Sequence, residues 1–139
     1  TYNLGIYLTN NTNFLLTNSK FLAENTTAGT TYGLYIPPTG INQQLQIINN
    51  TFAQNSNGEL TFGIYHGGAQ RLPGDCRIEK NNIRAQNYGI YLQGNANATY
   101  VLNNKLRGLN PSFSGISLVT SFPPTTSFSL IFGLTILSP

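Results

Sequence analysis

Tyr88-Gly89-Ile90-Tyr91-Leu92 is the phrase on which the reading of this chain turns. The same pattern stands at Leu4-Gly5-Ile6-Tyr7-Leu8, at Tyr32-Gly33-Leu34-Tyr35-Ile36 and at Phe62-Gly63-Ile64-Tyr65-His66. A weaker copy occupies Ser114-Gly115-Ile116-Ser117-Leu118, and the five glycines are 28, 30, 26 and 26 residues apart. A second motif follows at a similar offset: Leu16-Thr17-Asn18-Ser19-Lys20-Phe21, Ile48-Asn49-Asn50-Thr51-Phe52, Lys80-Asn81-Asn82-Ile83 and Leu102-Asn103-Asn104-Lys105-Leu106. Self-similarity at a fixed period of this length is the signature of a solenoid.

Each unit is built from strands. Apolar residues alternate with period two through the glycine phrase, and no stretch carries them at helical spacing over three turns. Strict alternation places Tyr32, Leu34 and Ile36 on one face, as it does Phe62, Ile64 and His66, and leaves the Tyr of each phrase on the other. Between the strands lie turn clusters such as Pro37-Pro38-Thr39-Gly40, Asn55-Ser56-Asn57-Gly58 and Gly94-Asn95-Ala96-Asn97. One such coil cannot bury its apolar face alone, so the coils must stack, with identical residues about 4.8 Å apart. The glycine is expected where a Cβ would clash with a neighbouring coil. The Asn pairs are expected to form an inward corner ladder, because Asn tolerates left-handed backbone angles and bonds to its own kind above and below.

Composition narrows the function. The chain has 139 residues, of which 8% are charged, against about a quarter in an average domain. Its polarity comes from 19 Asn, 16 Thr and 9 Ser. A net charge of +3 from 7 Lys+Arg and 4 Asp+Glu is too sparse for a surface that tracks nucleic-acid phosphates. No apolar run is long enough for a membrane-spanning helix. One Cys and one His give neither a disulfide nor a zinc spacing, so no metal or other cofactor is expected. Cys76 reads as a buried, inert thiol. The absence of Met and of a signal-peptide pattern suggests a piece of a longer chain. Asn-x-Ser/Thr matches at Asn10, Asn25, Asn49 and Asn97 follow from composition, Asn49 being assigned to the inward ladder.

The glycine phrases and Asn pairs resemble the parallel β-helix repeats of the pectate-lyase-like superfamily over about residues 2–118. Within it they are similar to the Gly-Ile-Tyr-Leu and Asn-Asn repeats of bacterial surface, periplasmic and phage-associated β-helices. The resemblance implies an all-β, right-handed, single-stranded parallel β-helix of about five coils over residues 1–120. Residues 121–139 then form an atypical terminal strand that completes or caps the last coil, with Phe128, Leu130, Phe132, Leu134 and Ile136 on one face. The resemblance implies no single activity, since that fold carries lyases, hydrolases, epimerases, tailspikes, adhesins and scaffolds.

Two functional readings compete. In the first, Tyr7, Tyr35, Tyr65 and Tyr91 form an outward column that binds the C–H faces of sugar rings. The structural alternative is a stack that only shields the sheet. In the second, His66, Asp75 and the two arginines Arg71 and Arg77 serve a polysaccharide lyase or glycoside hydrolase, as acid, base and clamp on a substrate carboxylate, with Glu79 as a further candidate. The order of His66-Gly67-Gly68 and Arg77-Ile78-Glu79-Lys80 is similar to signatures of polygalacturonase-type β-helices. That family, however, needs upstream paired aspartates, and this chain has no Asp before Asp75. Asp75 and Glu79 are the one close carboxylate pair, with Glu59 able to approach across a coil. The structural alternative is a polar loop beside a satisfied His. The expectation is therefore a non-catalytic structural or binding module of a surface-exposed or virion- or tail-associated protein. Its partners would be a polysaccharide or other glycan, further copies of itself, or other domains of a longer chain, at an extracellular, cell-surface or virion location.

Overall fold

Short Thr-, Ile- and Tyr-rich segments between Asn and Gly turns form strands that pair with their counterparts one repeat away. The computed structural model describes residues 2–24, 29–39, 43–67, 76–93, 99–119 and 135–137. Its elements come in trios: β1 (Tyr2–Tyr7), β2 (Leu15–Thr17) and β3 (Lys20–Ala23), then β4 (Thr30–Ile36), β5 (Gln46–Ile48) and β6 (Thr51–Gln54). They continue with β7 (Phe62–His66), β8 (Cys76–Glu79) and β9 (Asn82–Ala85), and with β10 (Tyr88–Gln93), β11 (Thr99–Leu102) and β12 (Lys105–Gly108). β13 (Ser114–Val119) and β14 (Thr135–Leu137) follow. Three parallel sheets result, in the orders β1-β4-β7-β10-β13, β2-β5-β8-β11 and β3-β6-β9-β12-β14. The chain is an all-β parallel solenoid, a β-helix.

Register holds the motifs in vertical columns. Ile6, Leu34, Ile64, Ile90 and Ile116 are successive Cα partners. The preceding glycines therefore stack as well, and a Cβ built on Gly33 would lie 2.7 Å from the carbonyl oxygen of Gly63. A continuous core of Leu34, Leu45, Ile47, Phe52, Ile64, Ile78, Ile83, Ile90 and Leu106 runs along the axis between the three sheets. Phe21, partly buried against this core, stacks on Phe52 with ring centroids 5.1 Å apart, in a column that continues as Ile83 and Leu106. Cys76 is buried in this core.

The Asn motif divides its labour between two successive residues, which corrects the expectation that both members of a pair turn inward. The first position makes the corner between the second and third sheets with left-handed backbone: Asn18 (φ 52°), Asn49 (57°), Lys80 (55°) and Asn103 (52°). The second position is the ladder. Asn81 accepts at Oδ1 from the Asn50 backbone N–H (2.9 Å) and from Asn50 Nδ2 (3.1 Å). Its own Nδ2 donates to Asn104 Oδ1 (3.0 Å) and to the Ile47 carbonyl (2.8 Å). Asn50, Asn81 and Asn104 are each 1% exposed, and the Ser19 N–H donates into the open end of the ladder at Asn50 Oδ1. Asn49 faces outward, where its Nδ2 donates to Asn18 Oδ1 (2.6 Å). In the third trio the corner falls on Lys80, which leaves Asn82 exposed on β9.

β14 pairs in parallel with β12, Lys105 opposite Thr135. Most of the alternating run from Phe128 lies outside the described residues, as do the sequons at Asn25 and Asn97. Among the described residues no helix is long and apolar enough to cross a membrane.

Candidate functional site

The first sheet carries an aromatic wall wider than alternation predicts. Tyr7, Tyr35, Tyr65 and Tyr91 form the expected column. Tyr35–Tyr65 and Tyr65–Tyr91 stack at 5.3 and 4.9 Å with planes within 8° and 5°. Beside it runs a second column, Tyr32–Phe62–Tyr88, with centroids 5.0 Å apart and planes within 10° and 9°. The two columns meet edge to face, as in Tyr32–Tyr35 at 4.8 Å and 64° and Phe62–Tyr65 at 5.0 Å and 79°. The residue before each glycine therefore sits outside with the Tyr column, not on the core face with Leu34 and Ile36.

Glycine causes the slip. A Cβ on Gly33 would meet the Phe52 ring in the core at 2.6 Å, so the Gly33 position faces inward, as the buried Leu34 does. Two consecutive inward positions throw the preceding aromatic onto the outer surface, as a one-residue register change must. The clue was present in the sequence, since Tyr, Phe and Tyr recur at a position where the interior columns use Leu and Ile. Both columns end at the last copy of the phrase, where Ser114 and Ser117 take the aromatic positions.

Ring spacing near 5 Å exceeds aromatic contact thickness of about 3.5–4.0 Å, so each stack is offset, like tilted slats. Such a wall presents edges and partial faces, and Tyr7 at its start is 53% exposed. Burial, helped by neighbouring Tyr65, Tyr35 and Tyr2, pushes the Tyr32 phenol up to about 12. Burial also raises Tyr35 and Tyr65, the first with Tyr7 and Tyr2 and the second with Tyr91, Tyr35 and Tyr2 as further causes. Tyr32, Tyr35 and Tyr65 are therefore neutral at physiological pH.

The residues of the enzymatic reading do not assemble among the described residues. His66 stands in the interior column between Ile36 and Leu92, 3% exposed, and its Nδ1–H donates to the Gln93 carbonyl at 2.9 Å. Burial holds its pKa below the ordinary 6.5, with the Gln93 bond opposing the shift. It is a neutral core histidine held by one hydrogen bond at Nδ1. Glu79 lies on the second sheet, where Arg77 Nη1 (3.4 Å) and Lys80 Nζ (3.2 Å) both engage its carboxylate. The Arg77 guanidinium sits 6.0 Å from the Tyr100 ring centroid. Glu59 is exposed in the turn before β7. Arg71 and Asp75 lie outside the described residues.

His66 makes stability pH-dependent in a fixed direction. With the folded-state pKa depressed, the unfolded chain takes the proton first as pH falls. The His66 contribution is complete above about pH 6.5 and drains at up to about 1.4 kcal/mol per pH unit until the folded-state pKa is passed. His66→Leu matches the column and removes the proton, so its thermal midpoint should exceed wild type by more at pH 5 than at pH 8. Equal differences at the two pH values would refute a buried neutral imidazole.

No family model matches the chain, and no curated protein or solved structure is significantly similar to it.

Proposed function

We propose that this chain is a non-catalytic β-helix module of a surface-exposed or virion- or tail-associated protein that binds a glycan along the first sheet. Its kinship to the pectate-lyase-like superfamily, its right-handed winding and its extracellular setting belong to the same reading. One observation carries the proposal: two adjoining columns of aromatic rings run side by side along the first sheet, with Tyr35, Phe62, Tyr65, Tyr88 and Tyr91 half-buried, Tyr7 exposed and Tyr32 buried. Cross-strand aromatic pairs contribute about 0.2–1 kcal/mol each to a sheet, so the wall has a structural use. Shielding alone, however, does not require a second column on the outer surface. Contiguous apolar surface of this kind marks interaction sites, and tilted slats at strand spacing offer C–H-rich pyranose faces a series of edges and shallow steps. Neutral phenols suit a neutral or weakly charged sugar.

Ser114 and Ser117 show which side chain the same register accepts without an aromatic. Tyr7→Ser and Tyr35→Ser are therefore suitable probes. Each ring removed should weaken binding to a glycan-array hit by about 0.5–1.5 kcal/mol, roughly two- to thirteenfold, with no new reducing ends or unsaturated products from the hit. An array without hits, or hits whose affinity ignores both substitutions, would end the proposal.

A further inference from the structure

We infer that the outward face of the third sheet holds a binding site for a tetrahedral oxyanion, the sulfate or phosphate ester of a polymer, formed by Arg84, Lys105 and Arg107. β9 and β12 are adjacent strands with Arg84 directly opposite Arg107 and Asn82 opposite Lys105. The intervening Ile83 and Leu106 are fully buried, so the three cations project outward, and all three are exposed. Opposed Cα atoms in paired strands lie about 4.8 Å apart, and residues two apart on one strand about 6.6 Å. Two guanidinium forks and an ammonium thus surround one spot. A recess of about 200 Å³ there is lined by the three cations together with Thr51, Asn82, Phe52 and Ala53.

Neither the repeat nor the electrostatics of the folded chain calls for this cluster. In the preceding trios the equivalent positions hold Lys20 and Leu22, then Thr51 and Ala53. Like charges directly opposite one another weaken a sheet, yet three of the chain's 7 Lys+Arg converge on one strand pair. Among the described residues the ion pairs are Arg77–Glu79 and Lys80–Glu79, so no described acid neutralises the cluster. Two bidentate forks plus a point cation match the three free oxygens of an ester oxyanion better than the two of a carboxylate. Three cations are too few to follow the phosphates of a duplex. This face is separate from the aromatic wall, so the array result bears on neither outcome here.

The test is a binding titration of the whole chain with dextran sulfate, phosphorylated dextran, neutral dextran and duplex DNA. Binding to one or both charged dextrans and not to the neutral one is expected, and the tighter of the two names the ester. The Arg84→Gln/Arg107→Gln pair, and Lys105→Gln alone, should weaken it by about tenfold or more. Lys20→Gln, on the same face two strands beyond β9, should change it less than about twofold. Because the pair removes a like-charge contact at exposed positions, its thermal midpoint should equal or exceed wild type. Charged dextrans held no better than neutral dextran would overturn the site. So would Lys20→Gln costing as much as the Arg pair, or DNA bound as tightly as the charged dextrans.

Discussion

Asn81→Leu is expected to cost about 3–5 kcal/mol of folding stability, while Asn82→Ala, one residue on, costs less than about 0.5 kcal/mol. The difference follows from hydrogen bonds that cannot be replaced. Asn81 Oδ1 accepts the Asn50 backbone N–H at 2.9 Å, and Asn81 Nδ2 donates to the Ile47 carbonyl at 2.8 Å. A leucine leaves the first of these buried without a partner and strips a donor from the second, at about 1–3 kcal/mol each. It also deprives Asn104 Oδ1 of a side-chain donor at 3.0 Å. Water cannot compensate at a position 1% exposed. Asn82 faces solvent on β9. Asn49→Ala should fall between them, at about 1–2 kcal/mol, since Asn49 is exposed but holds a left-handed corner at φ 57°. Urea melts of the three variants give the ordering directly. Equal costs for Asn81 and Asn82 would mean that the ladder runs through a different column.

That ordering also marks where the sequence could be read and where it could not. The glycine column and the existence of an Asn corner were legible because backbone geometry restricts both positions to very few residue types, so identity survives from coil to coil. Which Asn of a pair turns inward was not legible, because Asn serves equally well in a left-handed corner and in a buried amide ladder. Lys80 shows the ambiguity. It takes the corner that Asn49 takes one turn earlier, so the Asn81-Asn82 pair is displaced by one position from Asn49-Asn50.

The same kind of slip hid the outer aromatic column. Period-two alternation holds along a regular strand, but Gly33 and Leu34 both face the core, and nothing in a string of letters records that local change of direction. The candidate sites were less legible than the fold for a related reason. A repeat reveals columns, and the Tyr column was visible as one. The Arg84–Lys105–Arg107 cluster breaks the repeat and appears only when two strands are paired in register, although Arg84 and Arg107 each stand three residues after a ladder Asn. His66 drew attention because it interrupts a Leu and Ile column. Its ring sits in that column with Nδ1 held by the Gln93 carbonyl.

Gly63→Ala should be among the most damaging single-methyl additions in the chain, at about 3 kcal/mol or more. Overpacking a well-filled core typically costs about 1–3 kcal/mol when side chains can move aside. Here they cannot. The new Cβ would strike Ile83, which is fully buried against Phe52 and Leu106, and would stand 2.6 Å from the carbonyl oxygen of Gly89. Moving that carbonyl means separating β7 from β10, and β7 is clamped on its other side by β4. Gly89→Ala meets the Gly115 carbonyl at 2.8 Å, but its other neighbours are Leu106 methyls at 3.2 Å, which a rotamer change can relieve. It should cost less. Gly5→Ala faces the Gly33 carbonyl at 2.6 Å from the edge strand β1, which pairs with β4 alone and can shift as a unit. It should cost about 1 kcal/mol, the low end of the overpacking range. Calorimetric midpoints in the order Gly63, Gly89, Gly5, from most to least lowered, test whether strand separation rather than added bulk sets the cost. Three equal losses would show that the added bulk alone, and not the separation of one strand from the next, sets the cost.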